Sequence, residues 1–150
     1  MPQSLACLHI HLIFSTKRRD PVLHDAIRES LHAYLSGVLQ NLGCPPVLIN
    51  STDDHVHILF ELARTVAVSQ AVENVKKSSS KWLKTQGAEF AAFAWQAGYA
   101  AFAVSESNVP VVRDYIAKQK EHHAKKSFQD EYRVFLQRHG VTYDERYVWD

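Results

Sequence analysis

Two histidines, a tyrosine and a glutamine are the side chains whose types and spacing are most suited to chemistry. His55 and His57 flank Val56 in an apolar, β-branched run. We therefore expect both imidazoles on one face of a strand, where they can supply half of a metal site. Tyr115 and Gln119 stand four residues apart in a predicted helix, so they are expected to share one helix face.

A tyrosine suits attack on a phosphodiester because the bond that it forms can be reversed. A phenol with a pKa of about 10 is a tolerable leaving group where a serine alkoxide is a poor one. The side chain of Gln119 offers a carbonyl oxygen to a cation. A metal ion held by two histidines and this glutamine would polarise the phosphate and offset its developing charge.

A second pair, His9 and His11, repeats the same pattern in the first predicted strand. Spacing alone does not decide which pair binds metal, and a His-x-His in a strand is more often structural. We interpret His9 and His11 mainly as structural, or as supporting a metal ligand from behind; only His11 is an alternative candidate for bordering the site. Asp53 and Asp54 are expected to shape the turn before His55 and to orient a histidine.

Basic residues are clustered although the net charge is only +1. Clusters of this kind are candidate contacts for phosphate groups. They lie after the first predicted strand, on the second predicted helix and on the tyrosine helix: Lys17, Arg18 and Arg19; Lys76, Lys77, Lys81 and Lys84; Arg113 and Lys118.

The hydrophobic pattern predicts one domain over residues 1–150 with the order β-α-β-β-α-β followed by helices. The fold class is α+β, a ferredoxin-like or RRM-like split βαβ. The sheet is mainly antiparallel with helices on one face, and C-terminal helices carry the tyrosine. The predicted strands are Leu5–Ser15, Val47–Asn50, His55–Leu62 and Phe93–Val104. The predicted helices run from Leu23 to Leu42, from Ser69 to before Gly87, over Val109–Lys126, and from Ser127 to Gly140.

Composition is that of an ordinary globular protein, with 46% hydrophobic and 22% charged residues. No apolar stretch approaches the roughly 18 residues of a membrane span, and no signal peptide is evident. Two cysteines are too few for a disulfide framework, so a cytoplasmic protein without a membrane partner is expected.

Several segments together resemble the single-tyrosine HUH transposases of small bacterial insertion sequences and their repeat-associated relatives. Each segment alone is weakly specific, but their order and separations match the family along most of the chain. The segments are 11–19, 53–59, 95–99, 102–105, 112–119, 119–123 and 127–128.

The resemblance implies an enzyme that cuts and rejoins single-stranded DNA, usually near an imperfect hairpin, through a 5′-phosphotyrosine intermediate. Tyr115 would be the nucleophile, and His55, His57 and Gln119 would hold Mg²⁺ or Mn²⁺. Two imidazoles alone would favour Zn²⁺ or Mn²⁺, so Mg²⁺ rests on the resemblance. It also implies a homodimer in which the tyrosine helix can be lent across the interface.

Two other classes of function remain open from the residues. A non-catalytic module that binds single-stranded nucleic acid would have the same sheet topology, and would need neither metal nor a covalent adduct. A metal-dependent phosphodiester hydrolase would use His55, His57 and a carboxylate to activate water, and would not need Tyr115.

Overall fold

The computed structural model describes residues 2–119, 121 and 125–150. Its four strands are β1 (His9–Ser15), β2 (Pro46–Ser51), β3 (His55–Glu61) and β4 (Ala100–Val104). The helices discussed below are α1 (Asp25–Asn41), α2 (Val68–Leu83), α3 (Val109–Ala117) and α4 (Phe128–Arg138). No helix among these described residues is long and apolar enough to cross a membrane.

The strands form one antiparallel sheet in the order β2-β3-β1-β4. This is the split βαβ, ferredoxin-like arrangement that the sequence predicts. In the register between β1 and β3, Ser15 lies opposite His55 and Ile13 lies opposite His57. The two central strands therefore position the histidine pair in the middle of the sheet.

The two faces of the sheet have different covers. Leu12, Phe14, Val56 and Ile58 point to one face and pack with α1 and α2 in the larger core. Alternate residues point to the other face, where Ile13 packs in a smaller cluster with α4. His55 and His57 alternate with Val56 and Ile58 along β3, so both face the α4 side.

The fourth strand is shorter than predicted, because residues 93–99 form an irregular segment before β4. This segment is fixed by side-chain hydrogen bonds and not by the continuous backbone hydrogen bonds of a regular strand. The indole of Trp95 donates to Ser79 Oγ at 2.9 Å, and Gln96 Oε1 accepts from the Ser15 amide at 2.8 Å. The prediction of one strand over Phe93–Val104 is therefore wrong for its first half.

The predicted tyrosine helix is interrupted, since α3 ends at Ala117, and residues 120 and 122–124 of the predicted stretch lie outside the described residues. Lys118 leaves helical geometry at φ −98° and ψ 26°. Gln119 therefore lies beyond the end of the helix that carries Tyr115, and that helix begins with Pro110 in its first turn, where a missing N–H does no harm. The last helix begins as predicted, with Ser127 Oγ accepting from the Asp130 amide at 3.2 Å.

Candidate metal and tyrosine site

The histidine pair of β3 meets an acidic side chain from α4. His57 Nε2 lies 2.8 Å from Glu131 Oε1, and His55 Nε2 lies 3.4 Å from the same oxygen. All three side chains are buried. These separations are short enough for one ion to touch all three groups, because bonds from a first-row metal to nitrogen or oxygen are about 2.0–2.2 Å.

The Nδ1 atom of each imidazole, on the side of the ring away from Glu131, lies within hydrogen-bond distance of polar partners. His55 Nδ1 lies 2.7 Å from Asp54 Oδ1 and 2.8 Å from Thr52 Oγ1. His57 Nδ1 lies 2.8 Å from His11 Nε2. Metal-binding histidines are usually oriented in this way, with one ring nitrogen facing the ion and the other hydrogen-bonded. Asp54 orients a histidine as expected, and His11 borders the site.

Tyr115 reaches the same site from α3. Its hydroxyl donates to Glu131 Oε2, so the two oxygens of one carboxylate join the tyrosine to the histidine pair. The amide of Asn50 in β2 donates to the Ile116 carbonyl at 2.8 Å and fixes α3 against the sheet.

The carboxylate of Glu131 is charged and the phenol of Tyr115 is neutral. Burial opposes the charge on Glu131, but hydrogen bonds from His55 and His57 outweigh it and hold its pKa well below the usual range. Burial raises the pKa of Tyr115, and the hydrogen bond to ionised Glu131 raises it further. Before any cation binds, the tyrosine is therefore a hydrogen-bond donor and not a phenolate.

The neighbouring histidines have opposite pKa shifts. Burial works against protonation of His55, but hydrogen bonds to Asp54 and Glu131 outweigh it and raise its pKa to about 9. Burial and the adjacent His57 hold the pKa of His11 well below its ordinary value. His55 therefore carries a proton at neutral pH in the metal-free protein, whereas His11 does not.

Gln119 is fully buried although it lies beyond the end of α3. Neither amide atom has a hydrogen-bond partner among the described residues. The amide lies near Tyr115, where it lowers the pKa of the phenol against the larger effects of burial and Glu131. A buried amide left without a partner is costly, so it is suited to an added ligand such as a cation. The donor set of two imidazoles and a carboxylate fits a divalent metal ion.

The predicted basic residues lie on different faces of the molecule. Lys17, Arg18 and Arg19 follow β1 directly, beside the end of the sheet that carries His55. Arg113 and Lys118 are exposed on and just after α3, and Lys118 pairs with Asp114 at 3.1 Å. The other set belongs to α2, on the opposite side of the sheet: Lys76, Lys77, Lys81 and Lys84.

Lys76 differs from the other lysines of α2 because its ammonium group is already occupied. It donates to the carbonyls of Gln96 at 2.8 Å, Ala97 at 3.3 Å and Gly98 at 2.5 Å. Burial lowers its pKa to about 8. Three donors with three carbonyl acceptors indicate that Lys76 holds the segment before β4.

His122 and His123, for which the sequence indicated no role, lie outside the described residues.

Glu131 is the site residue that sequence reasoning missed. A signal was present, because Phe128, Tyr132 and Leu136 form the apolar face of α4 and Glu131 falls among them at helical spacing. An acid on an apolar helix face is a candidate for a buried, paired carboxylate. The partner itself could not be identified from the sequence, because it lies on a strand more than 70 residues earlier.

Comparisons with known proteins bear on the family and the fold of the chain. A family model described as "Transposase IS200 like" matches residues 4–119. A candidate transposase from Deinococcus radiodurans R1, known from a 1.90 Å crystal structure, superimposes with a TM-score of 0.62 at 24% identity. The superposition covers 79% of this chain and 98% of that one.

A second solved structure, a REP-associated tyrosine transposase bound to a REP hairpin, has a TM-score of 0.59 at 15% identity. It covers 82% of this chain and 74% of that one. At such identities both structures bear on the fold alone, and no curated protein matches the chain. The family model carries the assignment, since it spans most of the sequence including both strand histidines and the tyrosine: the chain belongs to the IS200-like transposase family.

Proposed function

We propose that this transposase cuts and rejoins one strand of DNA through a covalent 5′-phosphotyrosine at Tyr115, with the help of a divalent metal ion. The observation that carries the proposal is the meeting of Tyr115, His55 and His57 around one buried carboxylate. These groups come from three separate elements, and a purely structural role would not require a nucleophile and two imidazoles at one point.

The proposed step exchanges one phosphate ester for another. The phenolic oxygen of Tyr115 bonds to phosphorus, and the bond from phosphorus to the 3′ oxygen breaks. The departing 3′ oxygen takes up a proton from solvent, so the DNA is left with a 3′-hydroxyl. Glu131 Oε2 already accepts the hydroxyl hydrogen and is placed to take that proton as the tyrosine attacks. Attack by another 3′-hydroxyl reverses the step and restores the tyrosine, so no external energy source is needed.

His55, His57 and Gln119 are the proposed metal ligands, and Glu131 is placed to provide a further oxygen. When bound, the ion polarises the scissile phosphate and offsets the charge that develops on it. Mg²⁺ or Mn²⁺ is the proposed ion. A carboxylate and an amide oxygen beside the imidazoles make the site more suitable for these oxygen-preferring ions than two histidines alone.

The DNA strand is proposed to approach along the residues that follow β1. A groove of about 470 Å³ is lined there by Lys17, Arg18, Arg19, Gln96 and Trp149, among others. Arg18 and Arg19 both have positive φ, at 58° and 57°, an uncommon backbone for residues other than glycine. Such strain often marks a functional segment. Arg19 Nη1 is a buried donor without a partner among the described residues, which leaves it available to a phosphate.

The exposed lysines Lys77, Lys81 and Lys84 lie across the sheet from the site and serve as the matched comparison. Replacing Arg18 and Arg19 by alanine should weaken binding of a single-stranded oligonucleotide. The slope of log affinity against log salt should become shallower by about 0.7 for each phosphate that is no longer bound. The same change at Lys81 and Lys84 should leave the slope near that of the wild type. Equal losses of affinity from both pairs would contradict the proposed path.

Arg113 and Lys118 are further proposed contacts beside Tyr115.

The central experiment uses a suicide oligonucleotide that carries the DNA end flanking the gene, including any hairpin. Wild-type protein with Mg²⁺ or Mn²⁺ should yield a covalent protein–DNA band, and a chelator should abolish it. Tyr115→Phe should yield none, whereas Tyr132→Phe, which changes a buried tyrosine of α4, should still react. A band from Tyr115→Phe would overturn the assignment. Metal-independent binding without any band would favour a non-catalytic module.

A homodimer is also proposed, with hairpin DNA as the partner and the cytoplasm as the place of action. The similar REP-associated transposase was solved with a hairpin, which supports this choice of DNA. Mixing His57→Ala with Tyr115→Phe protein decides how the sites are built. Activity returns in the mixture only if one chain lends its tyrosine to the other. If each chain instead uses its own tyrosine beside its own histidines, no recovery is expected.

The hydrolase remains a second candidate because Glu131 supplies the carboxylate that such an enzyme requires. Two histidines and an acid around one ion can activate water. This alternative predicts many turnovers per protein and retained cleavage in Tyr115→Phe. The suicide-substrate experiment therefore separates the two functions directly.

A further inference from the structure

A second group of metal-binding side chains lies near the start of β1, away from His55 and His57. Cys7 Sγ lies 3.3 Å from Glu106 Oε2 and 3.9 Å from His9 Nδ1. His9 Nδ1 lies 3.2 Å from the same Glu106 oxygen. A thiol, an imidazole and a carboxylate thus converge at one point, and the proposed transposition chemistry uses none of them.

The fold brings these residues together from two distant parts of the chain. Cys7 lies two residues before His9, the first residue of β1, and its sulfur contacts the imidazole of that residue. β4 pairs with β1 so that Val104 lies opposite His9, and Glu106 follows two residues later. Glu106 begins the short 3-10 helix that leads into α3, the helix of the tyrosine.

The three separations agree with the edges of a zinc tetrahedron. Zinc lies about 2.3 Å from sulfur and about 2.0–2.2 Å from nitrogen or oxygen. Tetrahedral angles then place neighbouring ligand atoms about 3.3–3.6 Å apart. The observed separations are 3.2, 3.3 and 3.9 Å, so small side-chain rotations would suffice to bind an ion.

Charge and ligand type also fit zinc. A thiolate and a carboxylate together balance the two positive charges of the ion, and the imidazole binds as a neutral ligand. Thiolate and imidazole select Zn²⁺ over Mg²⁺ and Mn²⁺, which prefer oxygen. Without a cation, the hydrogen bond to Glu106 raises the pKa of the Cys7 thiol. A coordinated ion reverses that effect, and the thiol proton is released to solvent on binding.

We propose that Cys7, His9 and Glu106 form a Zn²⁺ site, with a water molecule as the fourth ligand. Bound zinc would tie the segment before β1 to the base of the tyrosine helix, because Glu106 stands three residues before α3 begins. The site is separate from the proposed Mg²⁺ or Mn²⁺ centre, and it does not depend on the proposed DNA chemistry.

A pair of similar composition elsewhere in the chain provides a natural control. His24 Nε2 lies 3.6 Å from Glu89 Oε1, and Glu89 also belongs to a short 3-10 helix. Both side chains are exposed, and no cysteine lies with them in a cluster of metal-binding groups among the described residues. A surface ion pair of this kind should not hold zinc.

The test is a titration of reduced, metal-free full-length protein with Co²⁺ as a spectroscopic substitute for Zn²⁺. Bound cobalt with one thiolate ligand should produce a charge-transfer band in the near ultraviolet, and one equivalent of Zn²⁺ should remove it. Excess Mg²⁺ should not. The thiolate band excludes the proposed active-site centre as its source, because that centre contains no cysteine.

Variants then assign the ligands. Cys7→Ser should abolish the band, and Glu106→Gln should weaken zinc affinity at least about tenfold. Glu89→Gln should leave both unchanged, and so should His57→Ala if the two metal sites are independent. Cys7 and Glu106 are exposed, so their variants are expected to fold, and circular dichroism verifies it. No cobalt band in the wild type, or an equal band in Cys7→Ser, would show a hydrogen-bonded triad only and overturn the proposal.

Discussion

The two His-x-His pairs lie on neighbouring strands and face the same side of one sheet, yet their surroundings differ. His55 and His57 turn Nε2 toward one carboxylate of α4. In the other pair, His11 contacts His57, and His9 contacts Cys7 and Glu106 near the start of the strand. An identical motif in the same type of element has therefore produced one converging pair and one divided pair.

Register explains the difference. His55 and His57 lie opposite Ser15 and Ile13, so the pair on β1 lies nearer the start of that strand, where His9 is opposite Val104 at the end of β4, two residues before Glu106. Of the two pairs, the one on β3 is the pair whose imidazoles contact the carboxylate of Glu131 in α4 among the described residues. The position of a motif under a covering helix, and not its spacing, decides which residues can share one ion. Four measurements can test this contrast between the pairs.

The largest effect is expected from breaking the converging pair. His57→Ala should slow formation of the covalent DNA adduct about 1000-fold. The variant loses one ligand of the metal ion, and that ion stabilises the charge of the transition state by several kcal/mol. His9→Ala should change the rate less than about threefold. Oligonucleotide binding should survive in both variants, as phosphate contacts dominate it. Comparable rate losses from the two variants would remove the distinction between the pairs.

The pH dependence of stability should separate His55 from His11 in metal-free protein. The pKa of His55 is raised to about 9, so its stabilising contribution is present below its unfolded pKa of about 6.5 and is lost as pH rises through about 9. The free energy of unfolding should fall over that range by at most about 3 kcal/mol.

The pKa of His11 is lowered, so its contribution is present above about pH 6.5 and is lost at more acidic pH. Denaturant unfolding with a chelator, from about pH 5 to about pH 10, measures the free energy of unfolding as a function of pH, with one limb at acidic and one at alkaline pH. His55→Asn should remove the alkaline limb and leave the acidic one. An unchanged alkaline limb in that variant would place its origin elsewhere.

The role of the α4 carboxylate can be sharpened by metal binding. Glu131→Gln should weaken Mn²⁺ binding at least about tenfold, or about 1.4 kcal/mol, because a charged oxygen ligand becomes a neutral one. Asp130→Asn, an exposed neighbour on the same helix, should have no effect. Calorimetric titration of these two variants and of Gln119→Ala with Mn²⁺ shows which side-chain oxygen contributes to the metal affinity. Loss of affinity in Gln119→Ala alone would assign Glu131 to positioning Tyr115 instead.

The smallest effect is expected at the divided pair. In metal-free protein Glu106→Gln should change the free energy of unfolding by less than about 1 kcal/mol, because an exposed partner of a histidine contributes little. Urea unfolding with a chelator provides the measurement. A larger decrease would mean that Glu106 supports the base of α3 even without zinc.

Much of the fold was predictable because periodicity is a local property. Alternation in β1 and β3 predicted which residues share a face, and the order of elements predicted the antiparallel sheet, as observed. The segment before β4 was mispredicted because its stabilising contacts are distant in sequence. Lys76 and Ser79 of α2 hold Gln96 and Trp95 there by side-chain hydrogen bonds.

The sequence by itself determined the types of group available for chemistry: imidazoles two apart on a strand, a tyrosine on a helix, and an order of motifs that identifies the family. Only the tertiary structure decided which groups meet. It ended α3 before Gln119, brought Glu131 between the tyrosine and one histidine pair, and directed His9 to Cys7 and Glu106. The physical reason is that spacing fixes which face a side chain points to, whereas its partner across that face depends on strand register and on helix packing many residues away.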